Sequence, residues 1–235
     1  MNKADGLSTG DLAGVIYSSG KVFDGLGTDR LDTESFLRNG ETRGITSRAD
    51  LALLEDLRDA MQFVIDSRDN GQPVDGAFVR QINQRLTRSA ALRPGELRRD
   101  DQRIGVKTRY GAHTPSALTT ESLDELVASS TRDRTPHAAA LELFVQLAKA
   151  QPFEDGNKRT ALFAANAYLL RQNTRTLLQV PVDDHDPQVA DRFNDLLARA
   201  YIFDDHEALK TYMGERGITR MVPNTSLSAG PNEFR

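Results

Sequence analysis

Apolar residues recur at helical spacing from residue 47 onward. Ser47 stands three residues before Asp50 as an N-cap, and Leu54, Leu57, Met61 and Ile65 then share one face. That helix is expected to end near "DSRDNGQP", and a second stripe, Phe78, Ile82 and Leu86, stops before Pro94 and Gly95. The rhythm changes in "QRIGVKTRYG", where Ile104 and Val106 alternate with Gly105 and Lys107, a strand or hairpin signal. Helical spacing returns at Leu123, Leu126 and Val127. Thr135 followed by Pro136 marks another start, because Pro at the first helical position gives up no useful hydrogen bond. Residues 137 to 149 are apolar almost all round, which predicts a helix at the centre of a bundle. A further apolar helix, "TALFAANAYLLRQ", and two more at 187–201 and 205–215 complete the mainly α reading. The polar tail "VPNTSLSAGPNEFR" is expected to be disordered.

Composition narrows the chemistry. At 235 residues the chain is long enough for one well-buried domain. A formal net charge of −4 gives no global attraction to nucleic acid or to an anionic membrane, so an anion site has to be local. The absence of Cys removes thiolate catalysis and Cys-based zinc sites, and suits a reducing, cytoplasmic setting. No run approaches the ~20 apolar residues that span a bilayer.

The stretch "AQPFEDGNKRTA", residues 150 to 161, joins the central helix to the next one. It places the amides of Gly156, Asn157 and Lys158 at a helix N-terminus, where free donors and the helix dipole favour an anion. Lys158 and Arg159 oppose that dipole on stability grounds alone. A bound polyphosphate reverses the penalty, and Arg159 can hold phosphate oxygens bidentately. Asp155 suits Mg2+, which typically takes one or two carboxylates together with substrate phosphates.

These residues resemble the signature of the Fic/Doc (Fido) family, H-x-F-x-[DE]-G-N-x-R-x-x-R, at Phe153, Asp155, Gly156, Asn157 and Arg159. At ~5% usage per residue type, five such matches arise by chance in roughly one chain in ten thousand. The resemblance implies a mainly α, Fic-type helical bundle with a small β-hairpin flap, which "GELRRDDQRIGVKTRYGAHTP" resembles. It divides the chain into an N-terminal segment (1–46), a Fic-like domain (47–217) and a tail (218–235). It further implies transfer of AMP or a phosphoryl-containing group from ATP or another nucleotide to a protein or small-molecule acceptor. Asp155 would then hold Mg2+; Gly156, Asn157, Lys158 and Arg159 would hold the nucleotide. Lys158 is more similar to the phosphotransferase branch than to the AMP-transferring one.

Three positions depart from the family pattern. Gln151 stands where the family has its basic His; an amide can orient a hydroxyl but does not take its proton at neutral pH. Leu162 replaces the final Arg. "SFLRNG", Ser35 to Gly40, resembles in degenerate form the family's inhibitory motif, with Asn39 at the Glu position. His113, in the flap-like segment, and His137, near the start of the preceding helix, are the alternative bases. A Fic-type transferase, a binding module that has lost the chemistry, and a small-molecule modifier all fit these residues.

Overall fold

A computed structural model describes residues 6–89, 92–102 and 104–221. Its centre is a helical pair, α6 (Pro136–Ala150) and α7 (Asn157–Arg171). α6 begins as its sequence dictates: the Thr135 side chain accepts from the Ala138 amide, and Pro136 occupies the first turn. α7 is buried on all sides, with Ala161, Leu162, Phe163, Ala164 and Ala165 fully inaccessible, so small residues alternate with large ones where neighbours press closest.

Around this pair lie α3 (Arg48–Asp69), α4 (Gly76–Asn83), α5 (Thr120–Thr131), α8 (Pro187–Phe203) and α9 (His206–Arg216). The expected Ser47 cap is present, accepting from the Asp50 amide. β1 (Val106–Thr108) and β2 (Gly111–His113) form the antiparallel hairpin at the place the alternating segment predicts. A second small sheet pairs β3 (Thr176–Leu178) with β4 (Ile218–Arg220). Ile218–Arg220 falls within the tail that the sequence marks as disordered; strand pairing across a long sequence separation gives it order. Residues 222–235 of that tail lie outside the described residues.

Residues 6–46, read as a segment ahead of the domain, supply Leu12, Val15, Ile16, Tyr17 and Phe36 to the same core. They fold as a 3-10 turn (Thr9–Leu12), α1 (Ala13–Ser19), a π-helical turn (Gly20–Asp24) and α2 (Arg30–Asn39). The π turn stops at Gly25, whose φ of +70° is left-handed. Its last residue, Asp24, is thereby directed at the start of α7. No helix among the described residues is long and apolar enough to cross a membrane.

Candidate phosphate site at the start of α7

Gln151 ends α6 in the left-handed region, with φ 48° and ψ 56°. Its Nε2 donates to the Ala148 carbonyl at 2.5 Å, and its Oε1 accepts from Asn157 Nδ2 at 3.2 Å. The amide side chain is therefore held still and buried. Asn157 also closes the turn, accepting from the Phe153 amide at 2.8 Å and donating to the Phe153 carbonyl at 2.9 Å. Its side chain thus serves the turn; what it can offer a ligand is its main-chain amide, near the free end of the helix.

Gly156 caps α7 with φ +74°. A Cβ there would lie 2.6 Å from Leu86 Cδ1 and 3.1 Å from Asn83 Nδ2, so a side chain is excluded by both backbone and neighbours. Asn83, at the end of α4, donates to the Asp155 carbonyl at 3.0 Å and to Thr160 Oγ1 at 3.1 Å. Asp155 itself is largely exposed, and its Oδ1 accepts from the Gly156 amide at 2.6 Å. A carboxylate from the chain thus occupies the first of the anion-binding donors.

Arg159 is 2% exposed. Nη1 donates to Ser89 Oγ at 2.9 Å, Nε lies 3.5 Å from Asp24 Oδ2, and Nη2 lies 3.7 Å from Asp155 Oδ1. Burial raises the Asp24 pKa above the usual carboxylate value, with Arg159 and Lys158 opposing the shift. Lys158 lies over the Phe23 ring, 5.0 Å from its centroid, and makes no hydrogen bond or ion pair among the described residues. Burial lowers its pKa. The set of charges is one that an incoming polyphosphate would stabilise: two cations, one without a partner, with Asp24 holding the other.

Two cavities meet here. One, of about 240 Å³, is lined by Asp24, Val106, Gln151, Asp155, Lys158 and Arg159, among others. The second, of about 220 Å³, runs under the hairpin against α8 and is lined by Lys107, Arg109, Asp195 and Tyr201. Val106 and Lys158 line both. Tyr201 is buried and stacks on His113, and its hydroxyl has no hydrogen-bond partner among the described residues. Burial raises its pKa, so it is a neutral donor. Tyr201→Phe is expected to leave stability unchanged or raise it by about 1 kcal/mol, measured by urea unfolding. A loss of that size would mean that the hydroxyl is satisfied.

Gln151, Asp155, Gly156, Asn157, Lys158 and Arg159 all line the cavity of about 240 Å³. The alternative bases are bonded within the chain: His113 Nε2 pairs with the Lys149 carbonyl at 2.7 Å, and His137 Nε2 with Thr176 Oγ1 at 2.9 Å. Asn39, aligned to the inhibitory Glu position, is exposed at the end of α2; the acid beside Arg159 is Asp24. Asp24, Ser89 and Asn83 were missed. The "FDG" at 23–25 carried the only local signal, an acid just ahead of a glycine stop.

A mainly helical bundle with a hairpin over a helix start that can cradle an anion defines the Fic fold class. Residues 73–169 match the model of the Fic/DOC family. Solved structures agree on the fold. Fic-1 (residues 134–508) from C. elegans superposes with a TM-score of 0.68 at 18% identity, over 88% of this chain and 60% of that one. A Fic domain-containing signaling protein from Bacteroides thetaiotaomicron gives 0.67 at 19%, over 89% and 87%. A Fic family protein from Desulfovibrio desulfuricans gives 0.56 at 15%, over 88% and 64%. This chain therefore spans less than two thirds of the C. elegans structure. No curated protein sequence matches it significantly.

Proposed function

We propose that the chain binds a nucleoside polyphosphate at the start of α7 and, as a Fic-type transferase, passes AMP or a phosphoryl-containing group to an acceptor hydroxyl. The observation that carries this reading is Lys158, a partly buried ammonium with no hydrogen bond or ion pair among the described residues, between a left-handed Gly156 and the buried Arg159. An O–P bond forms to the acceptor oxygen as the bond to the leaving group breaks, pyrophosphate when AMP is transferred from ATP and the nucleoside diphosphate when a phosphoryl group is. Phosphoryl transfer of this kind depends mainly on positioning and charge stabilisation, which suits a site whose base is missing. Gln151 Oε1 keeps a lone pair with which to orient the acceptor hydroxyl, whose proton passes to solvent.

The donor set fits Mg2+ brought in by the nucleotide. No cluster of three metal-ligating side chains exists among the described residues, whereas Asp155 is exposed and Asp24 stands on the same cavity. When bound, the ion would neutralise phosphate charge; Asp155 and the phosphates would hold it.

Asp24 competes with phosphate for Arg159. Asp24→Asn is expected to tighten ATP binding about tenfold, close to 1.4 kcal/mol. A bound phosphate raises the Asp24 pKa further, so the complex holds more protons than the free protein. Affinity therefore falls as pH rises through the raised Asp24 range, and Asp24→Asn should flatten that dependence in calorimetric titrations. The transfer itself is tested by incubating candidate acceptors with labelled ATP and Mg2+ and reading mass shifts. A second reading, a nucleotide-binding module without turnover, is favoured by one observation: both ends of the Gln151 amide are already bonded within the chain. Binding without transfer to any acceptor would select it.

A further inference from the structure

Arg98 is 4% exposed, yet its guanidinium forms no ion pair among the described residues; its bonds run to main-chain carbonyls. Nε donates to the Gln151 carbonyl at 2.6 Å. Nη2 donates to the carbonyls of Pro115 at 2.6 Å and Ser116 at 2.8 Å. The Arg98 amide adds a bond to the Pro152 carbonyl at 3.0 Å, and Leu97 bridges to Phe153 beside it. A buried cation without a counter-ion is costly, and an apolar side chain of similar length would fill the space without that cost. What an apolar chain lacks is the rigid fork, which reaches two separate segments at once.

We propose that Arg98 is a positioning residue that fixes the exit of the β1–β2 hairpin to the main chain of position 151. The hairpin has only three residues per strand, too few to hold a place on its own. Its tip is tied to α8 through Asp195, which accepts from Tyr110 Oη at 2.7 Å and pairs with Arg109 at 3.4 Å. Arg98 supplies the tie at the base. Because Val106 of β1 lines both cavities, releasing that base moves a wall shared by the phosphate site and the cleft beneath the hairpin. The same fork takes the carbonyl of a left-handed, buried residue that has little access to water. Hairpin placement and the backbone at position 151 thus form one unit. The catalytic meaning of this unit rests on the proposed function; the coupling does not.

Hydrogen–deuterium exchange on the full chain tests the coupling without turnover. In Arg98→Met, amides of the hairpin and those of Gln151 and Phe153 are expected to exchange at least about tenfold faster, while those inside α6 and α7 keep their protection. Arg98→Lys keeps the charge but loses the fork, so it is expected to free the hairpin too, and it carries the test if the Met variant does not fold. Unchanged hairpin exchange, or parent-like exchange in Arg98→Lys, would overturn the assignment. So would equal acceleration throughout α6 and α7, which marks a general stabiliser. ADP affinity of both variants is expected to fall with hairpin release, because Val106 of β1 and Gln151 line the phosphate cavity. A parent chain that does not bind ADP counts against the proposed function and leaves the exchange result standing.

Discussion

Gln151→His is expected to raise the rate of nucleotide-dependent transfer by about 10²–10⁴-fold, the usual worth of a general base. The position is prepared for it. Residue 151 is left-handed with φ 48°, a conformation that His adopts more readily than most side chains, and it lines the phosphate cavity. The flanking carbonyl stays held by Arg98, so the exchange replaces an amide that can only orient a hydroxyl with an imidazole that can take its proton. Single-turnover assays of parent and variant with labelled ATP measure the gain. An inert variant that still binds ATP would show that a missing base is not what limits the chain, and would favour the binding module.

Gly156→Ala carries the second large effect, in the opposite direction. A left-handed Ala costs about 1–2 kcal/mol on its own. Its Cβ would also lie 2.6 Å from Leu86 Cδ1 and displace Asn83, which holds the Asp155 carbonyl and, through Oδ1, the Gly95 amide at 2.8 Å. We expect a stability loss of about 2–4 kcal/mol in urea unfolding and loss of ATP affinity of more than about tenfold. Gly25→Ala is the matching control. Gly25 is also left-handed, but a Cβ there meets nothing within 4 Å, so only the backbone cost of about 1–2 kcal/mol is expected. Equal losses at the two positions would mean that the packing around Gly156 does not matter.

The sequence carried the helices whose signals are local. Ser47 with Asp50, Thr135 with Pro136, and the apolar run of α7 each announce themselves within one or two turns, and each is found where it is expected. The Phe153–Arg159 cradle was legible for the same reason: its donors, turn and charges all lie within seven consecutive residues. What stayed hidden depends on contacts between distant segments. α1 is seven residues long and follows a glycine-rich start, too short for a periodic signal. β3 and β4 are three residues each and pair across some forty residues. Asp24 meets Arg159 from the far end of the chain, on a π turn that no local pattern predicts, while the motif-like "SFLRNG" ends on an exposed Asn39. Arg98 looked like one of several basic residues in "GELRRDD"; only the packed structure distinguishes its buried fork from the exposed Arg99 beside it.

The central claim is that the start of α7 is a nucleotide phosphate site, and calorimetric titration of the full chain with ATP tests it most directly. Saturable one-to-one binding is expected, strengthened by Mg2+, tightened in Asp24→Asn and weakened more than about tenfold in Gly156→Ala. Absence of ATP binding in both the parent chain and Asp24→Asn, with Mg2+ present, would contradict it.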